Sequence, residues 1–196
     1  MLRTSRPLRR RILITGASSG LGAQMARVWA ADGRDLALCA RRTSELERLR
    51  DELRRDHPGV RVVIRALDVN DPEATEAVFA ECAAELGGLD RVVANAGLGR
   101  GGPIGTGAAA DNRATAQTNC LGVLNQAESA VAQFRQARSG HFVIMSSMAA
   151  LRGMQAQLNV YSAPPGTPTA DALKLLASWA ASQDDLATEA VATPTG

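Results

Sequence analysis

Short apolar runs alternate along this chain with stretches in which apolar residues recur every three or four positions. Ile12-Leu13-Ile14 is the first run, and Leu21, Met25, Val28 and Trp29 come after it at i, i+4, i+7 and i+8. A brief apolar run bounded by turn residues predicts a buried strand; the 3.6-residue period predicts a helix packed on one face. The alternation then repeats. Asp35–Ala40, with Leu36, Ala37, Leu38 and Cys39, predicts a second strand. Ser44-Glu45-Leu46-Glu47 has the form of a capping box and opens a helix with Leu46, Leu49 and Leu53 on one side, stopped by Pro58-Gly59. Val60–Leu67 predicts the third strand. Asp71-Pro72 supplies an N-cap and a first-turn proline for a helix running to Leu86 with Val78, Cys82 and Leu86 on its apolar face. Val92–Asn95 predicts the fourth strand. Past a glycine-rich loop, Cys120, Leu124, Ala127, Val131 and Phe134 mark a long helix, broken by Ser139-Gly140 before a fifth strand, His141–Met145.

Strands that alternate with helices pair in parallel through right-handed crossovers. The expected fold is therefore α/β, a doubly wound parallel sheet in three αβα layers, with strand order 3-2-1-4-5. The pattern stops after Ala163. Pro164-Pro165-Gly166-Thr167-Pro168 cannot continue a helix, since an interior proline costs about 3 kcal/mol. A short helix with Ala172, Leu175, Leu176 and Trp179 on one face is expected beyond it, then a polar tail to Gly196. No sixth or seventh strand is predicted, which leaves the fifth as an uncovered edge that invites self-pairing into a homo-oligomer. The expected organisation is a basic arm (1–10), an α/β domain (11–163) and a divergent tail (164–196).

Composition narrows the class. The chain has 196 residues, enough for one domain with a sizeable core. Hydrophobic residues make up 45% and aromatics only 3%, so that core must be built of Ala, Val, Leu and Ile. A net charge of +2, without aromatics for stacking, gives no reason to expect nucleic acid. Cys39, Cys82 and Cys120 have no metal-ligand spacing and read as buried hydrophobes in a reducing, cytoplasmic setting, with no metal site expected. Five arginines precede residue 12, but Ile12–Ile14 is too short for a signal core; a transit peptide is the lesser alternative to a solvated arm. No stretch approaches the ~18 apolar residues of a membrane span.

The candidate chemistry begins at Thr15-Gly16-Ala17-Ser18-Ser19-Gly20-Leu21-Gly22, between the first strand and its helix. Glycines let backbone approach a pyrophosphate, and the helix N-terminus favours its charge. A tight strand-to-helix connection is the alternative reading. At the end of the second strand stand Ala40, Arg41 and Arg42. An NAD site places a carboxylate there for the ribose hydroxyls, whereas a guanidinium suits a 2′-phosphate. The charge therefore favours NADP(H) over NAD(H); a solvated basic turn is the plainer alternative.

Thr15–Gly22, Asp68-Val69, Asn95-Ala96-Gly97, Asn119, Ser146-Ser147 and Tyr161-Ser162-Ala163 together resemble, in order and rough spacing, the short-chain dehydrogenase/reductase family. The resemblance runs from about Arg11 to Ala163. It implies a Rossmann-like fold and hydride transfer between a nicotinamide cofactor and a carbonyl or alcohol. It further implies that Thr15, Gly16, Ser18, Ser19, Gly20, Leu21 and Gly22 hold the pyrophosphate. Asp68 and Val69 would meet the adenine, and Asn95, Ala96 and Gly97 would form the turn beside the cofactor. Ser147 would bind the substrate oxygen, Tyr161 would pass the proton, and Asn119 would hold a water of the relay.

One family residue is missing. The motif is Tyr-x-x-x-Lys, and four residues past Tyr161 stands Pro165. The only lysine, Lys174, is thirteen residues from Tyr161 and beyond the proline-rich break. Tyr161 also stands one residue further from Ser147 than the family pattern. Without the lysine, Tyr161 keeps an ordinary phenol pKa near ~10, and the proton-transfer contribution of roughly 10²–10⁴-fold loses its tuning. An NADP-dependent oxidoreductase of weak or absent turnover is one reading. A non-catalytic NADP(H)-binding pseudoenzyme, or a truncated or frameshifted product of such a gene, is the other. The substrate is not legible.

Overall fold

The computed structural model describes residues 10–147 and 186–193, with backbone alone for Ser147 and for 186–193. Six strands form one sheet in the order β3-β2-β1-β4-β5-β6: β1 (Arg11–Thr15), β2 (Asp35–Ala40), β3 (Val62–Ala66), β4 (Arg91–Ala94), β5 (Gly140–Ser147) and β6 (Leu186–Thr193). Every pairing is parallel. The first five strands take the expected 3-2-1-4-5 order. The sixth is a correction: β5 is no open edge, because β6 pairs with it from Gly140↔Leu186 to Ser147↔Thr193. Backbone N–H and C=O groups along an edge bond to any extended segment, so β6 needs no strong apolar signature, and its sequence LATEAVAT has none. The expected short helix and the proline-rich segment lie outside the described residues.

Helices α1 (Gly20–Ala31) and α2 (Thr43–Asp56) bury Ile12, Ile14, Leu36, Leu38, Val93 and Val143 on one sheet face. On the other, α3 (Pro72–Leu86) and α5 (Gly122–Ala137) pack Phe79, Leu86, Ala130 and Phe134 against Leu13, Ala37, Val92 and Phe142. Cys39 and Cys82 meet within this second cluster, and hydrogen bonding to Cys82 together with burial pushes the Cys39 thiol well above its ordinary range. It is a core thiol, not a reactive one.

Three helices differ from expectation in ways the packing explains. On α1 the buried stripe is Gly22, Ala23, Ala26 and Ala30, while Leu21 and Val28 are about half exposed (52% and 51%) and Met25 and Trp29 only flank the core. Small residues let a helix lie close on a sheet, and the large ones take the sides. On α2 the N-cap is Arg42 with no side-chain capping bond, so Ser44 already lies in the first turn and forms no box. The long helix is α4 (Ala109–Ala116), a π turn (Gln117–Leu121) and α5 in succession. Within α5, Leu124 lies at the edge of the buried stripe, 38% exposed, while Ala127, Val131 and Phe134 are buried. The start of α3 is as predicted: Asp71 accepts from Ala74 N at 2.9 Å, with Pro72 behind it and Gly87 left-handed at the far end.

At the opposite end of the sheet from the strand C-termini, Asp90 ties β4 to β1. Its carboxylate accepts from the backbone N–H of Arg10 and Arg11 (2.9 Å each) and from Arg11 Nε at 3.0 Å. Burial would raise this carboxyl, but the Arg11 guanidinium and the two backbone donors outweigh it and hold it below its ordinary value.

Candidate functional site

Parallel strands aim their C-terminal ends at one edge of the sheet, and ligands of such folds lie there. A cavity of about 510 Å³ opens at that edge. After β1 it is lined by Gly16, Ser18 and Ser19; after β2 by Ala40, Arg41 and Arg42; after β3 by Leu67, Asp68 and Val69. Asn95, Ala96, Gly97, Leu98 and Arg100 come after β4, and Thr118 comes from the π turn. Ten of the expected cofactor residues therefore meet in one cavity. Four do not line it: Thr15, Gly20, Leu21 and Gly22.

The glycines divide by task. A Cβ on Gly16 would stand 2.8 Å from Ala96 Cα, and one on Gly22 would stand 2.6 Å from both Gly16 O and Asn95 Nδ2. Both are glycine because the first turn packs against the Asn95 turn. Gly20 is left-handed (φ +55°) with open space where its Cβ would be. Thr15 is fully buried. Its hydroxyl donates to Gln126 Oε1 at 2.7 Å and accepts from the backbone N–H of Asn95 and Ala96 at 3.1 Å each. Asn95 Nδ2 returns a bond to Thr15 O at 2.9 Å. Thr15 thus shapes the site from behind it. Gln126, which shares its hydroxyl proton, is invisible in the sequence because one polar position in a helix carries no signal.

The N-terminus of α1 has no capping side chain and no acid in its first turn. Its N–H groups are free for an anion. Arg42 Nη2 reaches across to Ser18 Oγ at 3.1 Å and Ser19 Oγ at 2.7 Å, joining the β2 end to the glycine turn. Arg41 Nη1 lies 4.0 Å from Asp68 Oδ2, both well exposed.

Asn119 sits in the π turn with both amide ends on Leu98: Oδ1 accepts from Leu98 N at 2.9 Å and Nδ2 donates to Leu98 O at 2.8 Å. Ser147 ends β5, opposite Thr193. Tyr161, Pro165 and Lys174 lie outside the described residues. No helix among the described residues is long and apolar enough to cross a membrane, and no group of three or more His, Cys, Asp or Glu among them could hold a metal ion.

The short chain dehydrogenase family matches residues 10–164, and the chain belongs to that family. An uncharacterized oxidoreductase of Mycobacterium tuberculosis is 50% identical over 155 residues, 79% of this chain and 61% of that protein. The chain thus spans about three-fifths of that relative's length. Among solved structures, the alcohol dehydrogenase of Thermococcus sibiricus complexed with 5-hydroxy-NADP is 27% identical, with a TM-score of 0.84 over 95% of this chain and 76% of that one. An NAD⁺-bound xylitol dehydrogenase, at 21% identity and a TM-score of 0.85 over 94% of this chain and 70% of that one, shares the fold.

Proposed function

We propose that this chain binds NADP(H) in the cavity at the strand C-termini and belongs to an oxidoreductase that interconverts a carbonyl and an alcohol. The observation that carries the reading is the arginine pair at the end of β2, with Arg42 bonded across the glycine-turn serines and no carboxylate in the ribose position. The residues fit a phosphorylated dinucleotide. Uncapped N–H groups open α1, and the two guanidiniums that follow β2 line the cavity and suit a 2′-phosphate. The bound cofactor would supply the hydride. Ser147 would hold the substrate oxygen and Tyr161 would exchange its proton. Because the Asn119 amide is bonded to Leu98, a relay water would use the remaining capacity of Oδ1 or a backbone carbonyl of the π turn.

Titration of wild type with NADPH and NADH tests the cofactor. NADPH should bind at least tenfold tighter, and the double variant Arg41→Ala/Arg42→Ala should lose most of that difference; equal wild-type affinities would overturn it. The second reading, binding without turnover, is favoured by Pro165 at the lysine position of the family motif. It predicts tight NADPH binding with negligible carbonyl-dependent NADPH oxidation across a panel of ketones and aldehydes. Ordinary turnover, lost in Tyr161→Phe, would overturn it.

A further inference from the structure

Three arginines line the cavity, and they differ in place and in partners. Arg41 and Arg42 come after β2, on one side of β1; Arg100 comes after β4, on the other. Arg42 is held by Ser18 and Ser19, and Arg41 faces Asp68. The Arg100 guanidinium has no hydrogen bond or ion pair with any described residue. Its backbone, by contrast, lies in a loop held by side chains. Thr115 Oγ1 donates to Arg100 O at 2.7 Å. Two residues earlier, Leu98 is bonded at both N and O by Asn119; two residues later, Gly102 is bonded at N by Asn112 Oδ1 (3.1 Å) and at O by Asn112 Nδ2 (3.0 Å).

Asn112, Thr115 and Asn119 therefore hold alternate residues of this loop through their side chains. Arg100 is the middle of three clamped residues. A guanidinium that lines a cavity and has no carboxylate partner among the described residues is available to an incoming oxyanion, which it can take with two parallel N–H bonds.

We propose that Arg100 is the oxyanion-binding residue of the β4 half of the cavity, receiving a phosphate or carboxylate from whatever lies there. On the NADP(H) reading above, on which only the source depends, that group is either the cofactor diphosphate or a carboxylate borne by the substrate.

The test compares wild type, Arg100→Ala and Arg100→Lys by calorimetry, using NADPH, 2′-AMP and inorganic diphosphate. A further arm adds 4-oxopentanoate or its methyl ester to NADPH-saturated protein. If the diphosphate is the source, Arg100→Ala weakens NADPH and inorganic diphosphate about tenfold or more. It leaves 2′-AMP, which needs only the β2 side, within twofold. If a substrate carboxylate is the source, NADPH binding is unchanged. Wild type then prefers 4-oxopentanoate to its ester, and Arg100→Ala removes that preference. Arg100→Lys should retain part of either effect, since a point charge replaces the fork. Should wild type ignore NADPH yet bind diphosphate through Arg100, the cofactor reading fails and this one stands. Identical binding of all ligands by wild type and Arg100→Ala, or none by either, overturns it.

Discussion

At the scale of single residues, the Thr15 hydroxyl is the busiest polar group behind the site. It has one proton and two lone pairs, and all three are used, by Gln126, Asn95 and Ala96. Thr15→Val keeps the shape and removes all three bonds at once. It leaves Gln126 Oε1 and two backbone N–H groups without that partner, at about 1–3 kcal/mol for each group that finds no other. We expect a loss of about 3 kcal/mol in denaturant unfolding, and weaker cofactor binding because the Asn95 turn is no longer anchored. A change below about 0.5 kcal/mol would show that water replaces the hydroxyl. By motif position Thr15 belongs among the residues that touch the cofactor, yet the structure turns it inward. Spacing along the chain locates the turn but cannot tell a residue facing the cavity from one turned away by a single peptide unit. For the same reason Arg100 and Thr118 are not legible in the sequence: their place in the cavity depends on a loop seat and a π turn, and neither leaves a mark in apolar periodicity.

At the scale of elements, the strands and the site-bearing turns are legible because they are local. A buried parallel strand must be an apolar run, and the start of α3 carries its own cap in Asp71. What long-range packing decides is not. The buried stripe of α1 is alanine and glycine, which carry little hydrophobic weight in a sequence. β6 is paired to β5 along its whole length by a register that no local signal in LATEAVAT announces. The link between β1 and β4 through Asp90 and Arg11 is likewise non-local, and it has a pH signature. The Asp90 carboxyl is held below its ordinary value of ~3.9, so the unfolded chain binds the proton more readily. Its contribution is therefore complete above that ordinary value and declines as the pH falls below about 4 and through the folded-state value. Asp90→Asn should melt lower than wild type at pH 7, and the gap should narrow as the pH falls below about 4. Parallel curves across that range would show that the ion pair does not couple to folding.

At the scale of the whole molecule, the sheet edge has moved outward from β5 to β6. Removing residues 186–196 would uncover all of β5, whose backbone groups now pair with Leu186–Thr193. A freshly exposed strand next to an apolar core seeks another strand. We expect the shortened chain to self-associate with rising concentration in sizing and light scattering while the intact chain does so less. An equally monodisperse shortened chain would mean that β6 contributes nothing to the closure of the sheet. The side-chain clamp on the 98–102 loop has its own consequence for the ensemble. Resistance to hydrogen exchange ordinarily maps onto helices and strands, but here it should appear where neither exists, and in single residues. The amides of Leu98 and Gly102, each bonded to an asparagine anchored in the helix, should exchange slowly. Those of Gly99, Arg100 and Gly101, whose N–H groups the clamp leaves alone, should exchange fast. The loop would then open only when α4 and its π turn unravel, so its local stability would equal that of the helix it leans on.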